Sequence, residues 1–147
     1  VMHRNNVRVR FIGRLEGLPA GLKEAILQGV ETTRNNTGVT FTLAINYGGR
    51  AEIVDAVRRI VAEGIPADQI DEATVAGHLY QPDIPDPDLM IRTAGEMRWS
   101  NFLIWQSAYS ELYVTDVAWP DFSKDELLEA VHTYQHRVRK FGGIPEA

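Results

Sequence analysis

Val39-Thr40-Phe41-Thr42-Leu43-Ala44-Ile45 is a β-branched, aromatic-containing run that breaks off at Asn46-Tyr47-Gly48-Gly49-Arg50. Such residues suit a pleated, partly covered surface, and a glycine pair directly after them marks a turn. This is the best strand in the chain, and its neighbours decide how it is used. Upstream, Val7-Arg8-Val9-Arg10-Phe11-Ile12 alternates apolar and basic residues with a period of two, which predicts a second strand ending at Gly13. Between the two, Leu22, Ile26, Val30 and Thr33 recur at helical spacing, with Pro19 placed for a first turn and Asn35-Asn36-Thr37-Gly38 for an exit. Strand, crossover helix, strand is a βαβ unit, so the two strands should run parallel.

Working toward the C-terminus, a second helix should turn Ile53, Ala56, Val57, Ile60 and Val61 inward until Gly64 and Pro66 stop it. A shorter helix over residues 72–79 has Asp71 as its cap. Gln81-Pro82-Asp83-Ile84-Pro85-Asp86-Pro87 cannot enter a helix or a central strand and reads as a rigid loop. Leu89-Met90-Ile91-Arg92-Thr93 is a third strand, left through Ala94-Gly95-Glu96 toward an expected apolar helix containing Phe102, Leu103, Ile104 and Trp105. Residues 112–115 form a fourth strand. Ser123 with Glu126 predicts the start of a last helix that buries Leu127, Leu128, Val131, Tyr134, Val138 and Phe141 and ends at Gly142.

The implied fold class is α/β, a mostly parallel sheet of about four strands with helices on both faces. Four strands are few for such a sheet, so further strands are expected from a segment absent from this sequence. The 147 residues, 44% of them hydrophobic, fit one domain with a real core, and no repeat or linker interrupts them. Fifteen Lys and Arg against 20 Asp and Glu give a net charge of -5, which argues against nucleic acid as a partner. The absence of cysteine removes disulfides, thiolate metal sites and a thiol nucleophile, and suits a reducing cytoplasm. No apolar run is long enough to span a bilayer, so a soluble protein is expected.

In open parallel sheets ligands bind beyond the carboxyl ends of the strands, and the unusual residues gather there. The first strand leads to Gly13-Arg14, the second to Gly48-Gly49-Arg50, and the third to Arg92-Thr93-Ala94-Gly95-Glu96-Met97-Arg98-Trp99-Ser100-Asn101. Glycine allows close backbone approach, arginine offers a fork of donors, and a helix N-terminus adds unpaired N–H groups, which together suit phosphate oxygens. Neither nucleotide loop, Gly-x-x-x-x-Gly-Lys-Ser/Thr or Gly-x-Gly-x-x-Gly, follows any strand, so a non-nucleotide diphosphate is the better ligand. Glu111 near these arginines is suited to hold Mg²⁺. His132 and His136 have the i, i+4 spacing of helical metal ligands, but without an evident third ligand they read as a solvated pair.

The run from Asp88 through Arg92-Thr93-Ala94-Gly95-Glu96-Met97-Arg98-Trp99-Ser100-Asn101-Phe102 to Gln106 resembles the signature of the cis-prenyltransferases, the undecaprenyl diphosphate synthase family. Ala108-Tyr109-Ser110-Glu111-Leu112-Tyr113, Trp119-Pro120-Asp121-Phe122, Phe141-Gly142-Gly143, Asn46-Tyr47-Gly48-Gly49-Arg50 and Ile12-Gly13 extend the resemblance over nearly the whole chain, as the C-terminal portion of a single domain of that family. The resemblance implies cis condensation of isopentenyl diphosphate with an allylic diphosphate such as farnesyl diphosphate, releasing pyrophosphate. It implies that Arg92, Arg98 and Ser100 grip the isopentenyl diphosphate, that Glu111 is associated with the Mg²⁺, that the protein is a homodimer, and that it touches a membrane surface transiently for product release.

Three departures qualify the resemblance. The family's Asp-Gly-Asn-Gly-Arg-Trp motif is absent, so this chain alone is expected to be inactive without a missing N-terminal segment or a separate chain supplying it. Lys140-Phe141-Gly142 stands where relatives often carry Arg-x-Gly, which keeps the charge and loses the bidentate fork. Met97 occupies a position that can be His, and a thioether is a poor ligand for Mg²⁺. The alternative reading is a non-catalytic subunit or phosphate-binding partner of such an enzyme.

Overall fold

The computed structural model of the protein describes residues 1–137. Its chain divides into two compact units, Val1–Ile84 and Pro85–Ala147, with the boundary inside the proline-rich loop.

The first unit holds β1 (Arg8–Gly13), α1 (Ala20–Thr33), β2 (Thr40–Ile45), α2 (Gly49–Ala62) and α3 (Glu72–Gly77). β1 and β2 pair in parallel from Arg8 opposite Thr40 to Gly13 opposite Ile45, the expected βαβ unit. Gly13 closes that ladder at φ +125°, where an added Cβ would lie 2.0 Å from the Ile45 carbonyl oxygen, so no other residue fits. α1 buries Ile26 and Thr33, and Thr33 Oγ1 accepts from the Val9 backbone N–H at 2.9 Å, fastening the helix end to β1. Leu22, which shares that helical spacing, is exposed.

In α2 the buried positions are Gly49, Glu52, Ala56 and Ile60. Ala56 and Ile60 lie inside as expected, but Val57 and Val61 point outward and a glutamate takes their part of the buried face. Glu52 is satisfied there: Oε1 accepts from the Tyr80 N–H at 2.9 Å and Oε2 from the Tyr47 hydroxyl. Buried carboxylates persist only when so partnered. α3 has the expected cap, with Asp71 Oδ1 accepting from the Thr74 N–H at 2.7 Å.

The second unit holds β3 (Leu89–Arg92), β4 (Glu111–Val114) and α4 (Lys124–Gln135). β3 and β4 are parallel, with Leu89 opposite Glu111 and Arg92 opposite Val114. All four expected strands therefore exist and all pair in parallel, but as two two-stranded ladders rather than one sheet. The apolar helix expected around residues 102–105 is absent. Ser100, Asn101 and Leu103 have φ of 47°, 63° and 46°, and left-handed residues interrupt the repeating hydrogen bonds of a right-handed helix, so the segment is a series of turns. α4 starts as predicted, Ser123 Oγ accepting from the Glu126 N–H at 3.3 Å. Its buried residue is Ala130, whereas Leu127, Leu128 and Val131 are exposed, contrary to expectation. Val138, Phe141, Gly142 and the Lys140-Phe141-Gly142 triplet lie outside the described residues.

Candidate functional site

At the carboxyl end of β3, Arg92 carries its guanidinium into a partly covered position. Nη2 lies 3.4 Å from Ser100 Oγ, a long contact, and Nε is buried without a hydrogen-bond partner among the described residues. An unsatisfied buried N–H on a cation calls for an acceptor. Ser100 itself is held at positive φ, and among the described residues four of the six non-glycine residues in that conformation, Ala94, Ser100, Asn101 and Leu103, fall within residues 94–103. Backbone strain of this kind concentrates at ligand-binding segments.

Arg98 stands on the same loop, ion-paired with Glu96 and 70% exposed. The pairing leaves most of its fork facing solvent. Gly95 does not present its backbone to a ligand: its N–H donates to the Thr115 carbonyl and that of Ala94 to the Val117 carbonyl, both at 2.9 Å. A Cβ on Gly95 would sit 3.1 Å from Asp116 Oδ1, so this glycine serves the close approach of the loop to residues 115–117. The helix N-terminus expected to supply N–H groups near Ser100 is likewise missing.

Glu111 occupies the other edge. As the first residue of β4 it sits opposite Leu89, three residues from the level of Arg92, which is about 10 Å along the strands. One rim thus carries Arg92 with Ser100 on its loop, while Glu111 belongs to the amino-terminal edge. Its Oε2 accepts from Arg137 Nη1 at 2.8 Å, and the same Nη1 donates to the Leu112 carbonyl at 2.9 Å. Sequence reasoning missed Arg137, because nothing local ties a residue at a helix exit to a strand 26 positions earlier.

As a donor, Glu111 is a hard oxygen ligand of the kind Mg²⁺ takes, and one carboxylate with substrate phosphate oxygens and water is a usual arrangement for that ion. Among the described residues no three Asp, Glu or His side chains gather as a metal cage. His132 and His136 lie with ring centroids 4.3 Å apart and ring planes tilted by 46°, His136 Nδ1 lying 2.8 Å from the His132 carbonyl oxygen.

In the first unit Arg14, considered above as a phosphate donor, is otherwise engaged. Its Nε and Nη2 donate to Asp55 at 2.9 Å each, and Asp55 Oδ2 also accepts from the Tyr80 hydroxyl at 2.7 Å. The Arg14 guanidinium, followed by the Tyr80 hydroxyl, holds the Asp55 carboxyl down at about 2. This network missed by sequence reasoning joins residues 25 and 41 positions apart and fixes the exit of β1 to α2.

Comparison with known proteins agrees with the motif reading. The sequence model of the Prenyltransf family, described as undecaprenyl diphosphate synthase, matches residues 1–142. An isoprenyl transferase of Heliobacterium mobile is 49% identical over 97% of this chain and 56% of its own length. A tritrans,polycis-undecaprenyl-diphosphate synthase (geranylgeranyl-diphosphate specific) of Thermoplasma volcanium is 50% identical over 96% of this chain and 56% of its own. The crystal structure of lavandulyl diphosphate synthase from Lavandula x intermedia in complex with dimethylallyl diphosphate superposes with a TM-score of 0.89 at 42% identity, over 92% of this chain and 60% of that one. The chain thus spans little more than half the length of these curated relatives. With a family match over nearly its whole length, and with the parallel α/β fold of its structural neighbours, this chain belongs to the undecaprenyl diphosphate synthase family of cis-prenyltransferases.

Proposed function

We propose that this chain is the C-terminal, isopentenyl-diphosphate-gripping portion of a single cis-prenyltransferase domain, which condenses isopentenyl diphosphate with an allylic diphosphate and releases pyrophosphate. The observation that carries the reading is the buried, partnerless Nε of Arg92 beside Ser100 on a strained loop. A phosphate oxygen supplies the acceptor that this group lacks, and Arg98 on the same loop adds a second fork of donors. The two arginines and the Ser100 hydroxyl bind and orient the diphosphate, leaving its prenyl end to be positioned by residues elsewhere in the complete enzyme. Glu111 is the carboxylate that would hold Mg²⁺, which would neutralise diphosphate charge, although its backbone lies about 10 Å along the strands from that of Arg92. Arg137 keeps that carboxylate in place. Homodimerisation, a cytoplasmic setting and transient contact of the complete enzyme with a membrane surface belong to the same proposal.

Titration calorimetry of isopentenyl diphosphate with and without Mg²⁺ tests it. Arg92→Ala and Arg98→Ala should each weaken binding by about ten- to a hundredfold, the scale of one charge-assisted hydrogen bond. Unchanged affinity in Arg98→Ala would remove its assigned role. Mixing the chain with the N-terminal part of a relative should restore isopentenyl incorporation that the chain lacks alone. Binding without turnover in a folded mixture would instead favour the non-catalytic partner.

A further inference from the structure

His78, the residue that follows α3, stands between two oxygens. Its Nδ1 is 2.6 Å from the Thr74 carbonyl oxygen, and its Nε2 is 3.0 Å from Oε2 of Glu63, the residue that follows α2. A carbonyl and a carboxylate can only accept. A neutral imidazole has one N–H and would turn a lone pair toward one of these oxygens, whereas the imidazolium donates to both. The His78 side chain is 16% exposed, whereas the Glu63 carboxylate it faces is open to water.

We propose that His78 is a proton-operated clasp, which in its imidazolium form fastens the end of α3 to the end of α2 and on losing its proton lets α3 open. Two charged groups act on the ring, both from α2 and its exit. Glu63 favours the proton, and Arg59, whose Nη1 donates to the His78 carbonyl at 2.7 Å, opposes it. α3 faces the ring with the neutral Thr74 carbonyl. The Glu63 carboxylate outweighs Arg59, and the His78 value is raised above that of an ordinary histidine.

The opening is confined to α3, because the segment after it has its own anchors. Leu79 is buried, the Tyr80 N–H and hydroxyl donate to Glu52 and Asp55, and Gln81 Nε2 donates to the Phe11 carbonyl at 3.2 Å. None of these bonds involves the imidazole. The sign follows from the raised value: the clasp is fully closed below the ordinary histidine range, near about 6.5, and is lost as pH rises through the higher folded-state value. This inference does not depend on the proposed enzymatic role.

Nuclear magnetic resonance on the intact chain between about pH 5.5 and 8.5 tests it. His78 should titrate above about 6.5 with both ring nitrogens protonated on the acid side. Over that titration, amide exchange in residues 72–77, corrected for intrinsic rate, should accelerate about two- to fivefold, the scale of a single partly exposed ion pair, while residues 52–60 stay unchanged. Glu63→Gln, at an exposed position that should not perturb folding, is expected to lower the His78 midpoint and remove the pH dependence of exchange. Titration of His78 at or below the ordinary value would overturn the clasp, as would α3 exchange that ignores the His78 midpoint or is unaffected by Glu63→Gln.

Discussion

Gly13, Arg14 and Asp55 show how single residues fix the exit of β1. Gly13 has no tolerance for a side chain, since its Cβ would strike the Ile45 carbonyl in a backbone region that L-residues avoid. Gly13→Ala should therefore unfold the β1–β2 ladder, read as loss of the cooperative transition in circular dichroism; a variant melting within a few degrees of wild type would contradict the geometry. Asp55 makes a pH prediction. Because its folded value is lowered to about 2 from an ordinary 3.8, its contribution to stability is fully present above that ordinary value and disappears as pH falls through about 2. Acid titration of Asp55→Asn should lack this component of the wild-type loss. Arg14 and Gly95 also mark where residue type misleads: both have the chemistry of phosphate binders, yet one is taken by Asp55 and the other by the packing of its loop on residues 115–117.

Among the elements, α2 was legible as a helix, and Ala56 and Ile60 as part of its inner face, but the full width of that face was not. Both the valine positions and the Glu52 stripe have helical periodicity, and the tertiary acceptors and donors of Glu52 decided between them. Tyr80, 28 positions away, supplies one of those donors, so no local pattern could have revealed the choice. Glu52→Ala should cost about 1–3 kcal/mol for each donor left without an acceptor, measured by urea denaturation, with Glu52→Gln recovering part of it. The turns at residues 99–109 are the converse case. Phe102, Leu103, Ile104 and Trp105 look like a helix by composition, but left-handed residues on either side of Phe102 prevent it. At the ladder of β3 and β4, the parallel register separates Arg92 from Glu111, two residues that the motif reads as one group.

For the molecule as a whole, the division into two compact units at residues 84 and 85 has a direct spectroscopic consequence. Trp99, Trp105 and Trp119, the chain's three tryptophans, all fall in the second unit, whereas helices α1, α2 and α3 belong to the first. Tryptophan fluorescence therefore reports one unit, and helical circular dichroism mostly the other. Denaturation followed by the two probes is expected to give non-coincident transitions, because each probe reads a compact unit with its own internal contacts. Coincident curves would show that the two unfold together.

By itself the sequence determined the order of elements, the parallel pairing within the βαβ unit, both helix caps at Asp71 and Ser123, and, through the long run around Arg92, the family. These follow from local chemistry: periodicity, turn residues and capping side chains act over a few positions. Tertiary structure alone decided that Glu52 goes inside, that Arg14 is bound by Asp55, that Arg137 holds Glu111, and that His78 spans two acceptors. Each of these joins groups distant in sequence, or chooses between faces that the local pattern leaves equivalent, and the choice is made by which buried donors and acceptors find one another once the chain has packed.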